Sequence, residues 1–86
     1  MKQFTYTIQD PIGIHARPAG MLVKAAKVYG DTVITVTKGG VTARANQLMK
    51  LMSLGVKQGD VVTVMAEGAD EDAAIIAMSD FFQNNL

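Results

Sequence analysis

The sequence alternates between two hydrophobic periods, and this alternation constrains the fold more than any other feature. Strand-like segments repeat every second residue, as Phe4, Tyr6 and Ile8 do, whereas helical segments repeat with the longer period of an α-helix. In chain order the pattern predicts a strand over 3–8, a helix from 16 or 18 to 29, strands over 32–37 and 41–44, a helix from 46 or 47 to 55, a strand over 60–67 and a last helix from about 70. This order, βαββαβα, predicts an α+β open-faced β-sandwich, in which a four-stranded antiparallel sheet carries three helices on one face.

Length and composition favour one globular domain spanning residues 1–86, since 49% of the residues are hydrophobic and 19% are charged. Eight basic and eight acidic side chains cancel, which leaves no net field for binding nucleic acid or an anionic membrane. With no cysteine and one histidine, the chain lacks the residues for a disulfide or a metal cluster, and we expect no metal and no cofactor. No segment has transmembrane length and the N-terminus alternates like a strand, so we expect a cytoplasmic protein without membrane insertion.

Residues 13–18 hold the only histidine of the chain beside a predicted helix start. Proline is tolerated in the first helical turn, so Pro18 marks this start and leaves the amides of Ala16 and Arg17 unpaired. Unpaired amides and the positive end of the helix dipole bind anions, and the guanidinium of Arg17 suits phosphate oxygens. The pattern therefore indicates a phosphoryl group on His15, although a histidine at this position can also be a helix cap or an ordinary surface side chain.

The first predicted helix has an apolar face and a basic face. The face expected to pack on the sheet contains Ala19, Leu22, Val23 and Ala26. The opposite face contains Arg17, Gly20, Met21, Lys24 and Lys27. On the pattern alone, Lys24 and Lys27 are interpreted as part of an ordinary solvated surface. Gly30 is expected to end this helix.

The second predicted helix has more apolar surface than a small domain buries easily. It begins at Asn46 or Gln47, of which Asn46 has the better N-cap side chain, and it ends at Gly55. Leu51 and Leu54 suit the core. A second apolar face contains Leu48, Met49 and Met52. This face is either buried in the core or exposed as an adaptable patch for partners.

The last part of the chain is interpreted as structural. The strand over 60–67 is the longest apolar strand and is expected to be central. Asp70, Glu71 and Asp72 are expected to cap and charge the last helix, because three consecutive acids spread around a helix and make a poor acid–base pair or metal site. The buried stripe of that helix is predicted to contain Ala74, Ile75, Met78, Phe81 and Phe82.

Residues 13–19 (Gly-Ile-His-Ala-Arg-Pro-Ala) closely resemble the active-site motif of the HPr family, the histidine-containing phosphocarriers of the bacterial sugar phosphotransferase system. Residues 48–55 resemble the second signature of the family, and residues 68–72 resemble the start of its last helix. The resemblance covers essentially the whole chain, and the family has the βαββαβα architecture. It implies that Nδ1 of His15 accepts a phosphoryl group from phospho-enzyme I and passes it to the A domain of a sugar permease. It also implies that Arg17 and the backbone amides of Ala16 and Arg17 hold the phosphoryl oxygens.

The same resemblance implies a modest docking surface for these partners. It would contain Gly20, Lys24 and Lys27 from the first helix, and Leu48, Met49 and Met52 from the second. A carrier that alternates between partners is expected to be a monomer and not an autonomous enzyme, with no contact to nucleic acid.

Two positions depart from the family pattern. Many members have a regulatory serine at the N-cap of the second helix, where this chain has Gln47, so regulation through that serine is not expected. Ile12 stands where the family often has a small polar residue. Two other functions stay open: a regulatory interaction module with the HPr fold, and an unrelated α+β domain that binds a small molecule. The second does not account for His15 and Arg17 at a helix start.

Overall fold

The computed structural model describes residues 1–86 and has its secondary-structure elements in the predicted order. They are β1 (Lys2–Thr7), α1 (Ala16–Lys27), β2 (Thr32–Lys38), β3 (Val41–Arg44), α2 (Leu48–Ser53), β4 (Val61–Gly68) and α3 (Glu71–Asn85). The strands form one antiparallel sheet in the order β1-β4-β2-β3, so β4 is a central strand, as predicted, and β1 and β3 are the edges. The α+β open-faced architecture is confirmed. No helix combines the length and the apolar composition needed to cross a membrane.

The register of the sheet separates a buried face from an open one. One row across all four strands is wholly or partly buried and consists of Phe4, Val64, Val36 and Ala43. The adjacent row points to the other face and is exposed or half-exposed; it consists of Thr5, Thr63, Thr37 and Thr42. Because successive side chains of a strand point to opposite faces, this alternation places the core between the sheet and the helices.

Phe82 of α3 is the centre of the aromatic packing that joins α3 to the edge strand β1. It is fully buried, and its ring meets those of Phe4 and Tyr6 edge-on at centroid distances of 5.8 and 5.7 Å. Phe81 packs against the same ring at 6.1 Å. Edge-to-face pairs stabilise beyond the area they bury. Of the predicted stripe of α3, Ala74, Met78 and Phe82 are buried, and Ile75 and Phe81 are partly buried. The aromatic packing fixes the C-terminal end of α3 beside the chain that leaves β1.

One helix end was predicted incorrectly, and the structure decides between the two predicted starts of another helix. α1 ends at Lys27 with Val28 as its C-cap, and Gly30 does not have a positive φ, so Gly30 is not the residue that ends the helix. The N–H groups of Val28 and Tyr29 instead donate to carbonyls three residues back, which closes the helix in tight turns. The N-cap of α2 is Gln47 rather than Asn46, because the carbonyl of Gln47 accepts the first helical hydrogen bond.

Candidate functional site

His15 occupies the N-cap of α1, with φ −117° and ψ −178°. Its carbonyl accepts the amide of Ala19 at 2.9 Å, which begins the helix at Ala16, the earlier of the two predicted starts. Its side chain makes no capping hydrogen bond and is half-exposed. The imidazole is therefore not used as a helix cap, and it is partly accessible at the N-terminus of α1.

The helix start beside His15 offers unpaired donors. The amides of Ala16 and Arg17 have no hydrogen-bond acceptor in the protein, and Pro18 has no amide hydrogen to offer. The guanidinium of Arg17 is exposed and takes part in none of the ion pairs of the structure. Two amides, the helix dipole and a free arginine together form an electropositive site that an anion can occupy.

The loop before His15 is held by backbone contacts on two sides. On one side the carbonyl of Leu86, after α3, accepts the amide of Asp10 at 2.8 Å. On the other, the carbonyl of Val56 accepts the amide of Ile14 at 3.2 Å. Gly13 has a φ of +84°, and a Cβ at this position would collide with the carbonyl oxygen of Val56. Glycine is therefore required here both by its conformation and by the close approach of two backbones.

The backbone around Val56 is held in turn by Asp60. Oδ2 of Asp60 accepts the amide of Lys57 at 2.8 Å and lies 3.0 Å from Nζ of Lys38. The amide hydrogen bond, and then the hydrogen bond from Lys38, hold the pKa of Asp60 below its ordinary value of 3.8. Lys38 also donates to the carbonyl of Gly55 at 2.8 Å, after the end of α2. One small network thus connects β2, α2 and the turn that supports the loop.

His15 and Arg17 lie in the wall of one cavity of about 270 Å³. The lining residues are Asp10, His15, Arg17, Pro18, Met21, Asn84 and Asn85. The sequence interpretation missed Asp10, Asn84 and Asn85 as neighbours of the histidine. The Asp-Pro-Ile-Gly pattern predicts only a loop that ends the first strand and leads to His15. No local signal distinguishes the two asparagines, which reach the cavity because α3 packs against β1.

The remaining predicted residues of α1 do not line this cavity. Gly20 is half-buried, and the side chains of Lys24 and Lys27 are exposed. Neither lysine lies within 4.0 Å of a carboxylate, so both charges are available to a partner. A Cβ at Gly20 would meet no atom within 4 Å, which leaves this position sterically open.

The second apolar face of α2 lies at the surface rather than in the core. Met49 is 77% exposed, Leu48 38% and Met52 39%, whereas Leu51 on the opposite side is fully buried. α2 lies beside α1, so Leu48, Met49 and Met52 form an apolar patch on the helical side of the molecule. Gln47, at the N-cap of α2, is also exposed. Of the two possibilities left open by the sequence, burial in the core does not apply to this face, and its role in binding partners stays a prediction.

Comparison with known proteins gives concordant results. Residues 2–84 match the family described as PTS HPr component phosphorylation site. The phosphocarrier protein HPr of Mycoplasma genitalium is 39% identical over 85 residues, which cover 99% of this chain and 97% of that protein. The crystal structure of HPr-C-His from Thermoanaerobacter tengcongensis is 42% identical, with a TM-score of 0.91, and the match covers 98% of this chain and 93% of that one. An HPr dimer from the same organism is also 42% identical, with a TM-score of 0.76 and coverage of 98% and 95%.

Proposed function

The chain belongs to the HPr family, the phosphocarrier proteins of the phosphotransferase system, and on this basis we propose that His15 is the residue that carries the phosphoryl group. HPr proteins are carriers rather than autonomous enzymes. The observation that carries the proposal is the pairing of an imidazole that has no hydrogen bond in the protein with the unpaired amides of Ala16 and Arg17 at the same helix start.

The transfer step needs only a nucleophile and a site for three phosphoryl oxygens. In the neutral imidazole with its proton on Nε2, the lone pair of Nδ1 is free to attack phosphorus. A bond forms between Nδ1 and phosphorus while the bond from phosphorus to the donor atom breaks, and its electron pair leaves with the donor. The amides of Ala16 and Arg17 and the guanidinium of Arg17 stabilise the charge on the oxygens. Such catalysis rests on positioning and charge stabilisation, so a small site is sufficient.

The proposed donor is phospho-enzyme I and the proposed acceptor is the A domain of a sugar permease. Both partners would dock on the same surface, which contains Gly20, Lys24, Lys27, Leu48, Met49 and Met52. The exposed methionines support this role, because their flexible side chains adapt to more than one partner. The free lysines support it too, since unpaired cations steer the approach of an acidic surface.

The test is phosphorylation by phosphoenolpyruvate and a bacterial enzyme I, followed by intact-mass spectrometry. The wild-type protein should gain one acid-labile phosphoryl group, and His15→Ala, shown to be folded by its circular dichroism, should gain none. Arg17→Lys keeps the charge but loses the planar fork of donors, so it should be phosphorylated more slowly. No gain by the wild type, with enzyme I active on another HPr, would contradict the carrier function and favour a regulatory interaction module.

The working form proposed for the carrier is a monomer in the cytoplasm. A monomer leaves the His15 face open to each partner in turn, and phosphoenolpyruvate is a cytoplasmic metabolite. One related HPr has been crystallised as a dimer, so the oligomeric state of this chain needs its own measurement. Light scattering on the eluting protein should give the mass of one chain, and a stable dimer that is still phosphorylated at the full rate would contradict the monomer proposal.

The presence of Gln47 supports a carrier that is not regulated through a serine at the N-cap of α2. Glutamine has no hydroxyl group to phosphorylate, although the position itself is exposed. An HPr kinase with ATP should therefore leave the mass of this protein unchanged. Phosphorylation of Gln47→Ser under the same conditions would show that the kinase still recognises the surface.

A further inference from the structure

The position of the imidazole depends on the loop before it. The side chain of His15 makes no hydrogen bond in the protein, so no hydrogen-bonding side chain orients it. What remains is the backbone from residue 10 to residue 14, which delivers the chain to α1. A residue that fixes this backbone therefore fixes the nucleophile.

Asp10 is the only residue whose side chain hydrogen-bonds to that backbone. Its Oδ1 accepts the amide of Ile12 at 2.8 Å and the amide of Gly13 at 3.3 Å, and its carbonyl accepts the Gly13 amide at 3.1 Å. Pro11 between them supplies a fixed φ and no donor. Asp at the first position, Pro at the second and Gly at the fourth are the residues that such a turn favours. The amide of Asp10 also donates to Leu86, so Asp10 connects the end of α3 to the loop.

Asp10 also lies in the wall of the cavity that contains His15 and Arg17. It is half-buried and forms no ion pair with a cation. A negative charge here opposes an incoming phosphoryl group, so electrostatics does not explain why an acid occupies the position. The hydrogen bonds of Oδ1 to the loop do explain it. An asparagine would keep that acceptor and remove the charge.

From these observations we propose that Asp10 is a positioning residue for phosphoryl transfer, a role that rests on the proposed function. It acts through the loop on His15 and makes no bond to the phosphoryl group. Docking of the partner, which involves other residues, does not depend on it. Loss of the Oδ1 acceptor lowers the rate of transfer, whereas loss of the charge alone does not.

The experiment compares Asp10→Ala, Asp10→Asn and, as a control, Asp80→Ala, which removes an exposed acid of α3 that makes no side-chain contact of this kind. Transfer from phospho-enzyme I is measured by rapid quench over a range of carrier concentrations. Asp10→Ala should be about three- to ten-fold slower at saturation, the range expected from losing about one net hydrogen bond, with an unchanged half-saturating concentration. Asp10→Asn should transfer at no less than the wild-type rate, and the control should match the wild type.

Amide hydrogen exchange of Ile12 and Gly13, measured by NMR, connects the rate to the turn. Both amides should be protected in the wild type and in Asp10→Asn and should exchange faster in Asp10→Ala, while the core amides remain protected in all three. The proposal is overturned if Asp10→Ala transfers at the wild-type rate, if Asp10→Asn is as slow as Asp10→Ala, or if only the half-saturating concentration changes. If the wild type itself accepts no phosphoryl group, the proposed function fails, and the exchange of the two amides still reports whether Asp10 holds the loop.

Discussion

Gly13→Ala should destabilise the protein more than any other substitution of a glycine by alanine in the loops around the site. The residue has a φ of +84°, and an L-residue in the left-handed region costs about 1–2 kcal/mol. A Cβ at Gly13 would also collide with the carbonyl oxygen of Val56 and with Cα of Lys57. Both are backbone atoms, so the two segments would have to move apart.

The second contribution to the loss of stability in Gly13→Ala comes from the separation of these two backbone segments. Separating the segments strains the packing, at a cost of about 1–3 kcal/mol, and weakens the hydrogen bond from Ile14 to Val56, which contributes about 1 kcal/mol. The free energy of unfolding should therefore fall by about 3–6 kcal/mol, a large share of the ~5–15 kcal/mol typical of a domain. The Gly13→Ala molecules that still fold should have a displaced His15 and should transfer the phosphoryl group more slowly.

Urea denaturation followed by circular dichroism measures this change, and two glycines provide controls. Gly55 has a φ of +65° but no atom near its missing Cβ, so Gly55→Ala isolates the conformational cost of about 1–2 kcal/mol. Gly20 is helical and sterically open, so Gly20→Ala should stabilise the protein by about 0.5–1 kcal/mol. If Gly13→Ala were no less stable than Gly55→Ala, the close approach of the loop to Val56 would not exist in solution and the reasoning would be wrong.

Three further predictions concern the core, the pH dependence and the docking surface. Phe82→Ala should lower the free energy of unfolding by about 3–5 kcal/mol in the same urea assay, because it leaves a cavity beside three aromatic rings. A loss below about 1 kcal/mol would show that Phe82 is not the centre of the aromatic packing. The pKa of Asp60 is lowered in the folded state, so its carboxylate stabilises the fold above pH ~3.8, and this contribution is lost as the pH falls through the lower folded-state pKa. Urea titrations should give the wild type a lower free energy of unfolding near pH 3 than at neutral pH. The difference between the two pH values should be smaller in Asp60→Asn. Met49→Ala should weaken binding to enzyme I, measured by calorimetry. The control is Ile76→Ala, since Ile76 is an apolar residue of α3 that is 63% exposed, and this substitution should leave the affinity unchanged. If Met49→Ala bound enzyme I as tightly as the wild type, Met49 would not belong to the docking surface.

Most of the architecture was predictable because the hydrophobic periodicity of each strand and helix is a property of neighbouring residues in the sequence. The alternation of Phe4, Tyr6 and Ile8 predicts a strand without reference to the rest of the chain, and the long apolar run of β4 predicts its central place in the sheet. Helix ends were less predictable. At Gln47 and beyond Lys27, the backbone hydrogen bonds of neighbouring turns decided the boundary, and these depend on how the flanking segments are oriented.

The sequence by itself determined the order of the elements and singled out His15 and Arg17, because a lone histidine, an arginine and a proline at a helix start are adjacent along the chain. Only the tertiary structure decided which residues surround that histidine. Asn84 and Asn85 are about as far from His15 in sequence as the chain allows, and they line the same cavity because Phe82 packs against the rings of β1. Whether the second face of α2 is buried was also a tertiary question, since its exposure depends on how much of the core the sheet and the other helices already fill. The local sequence pattern indicates which side-chain chemistry lies at a helix start, whereas the packing of distant segments determines which residues contact it.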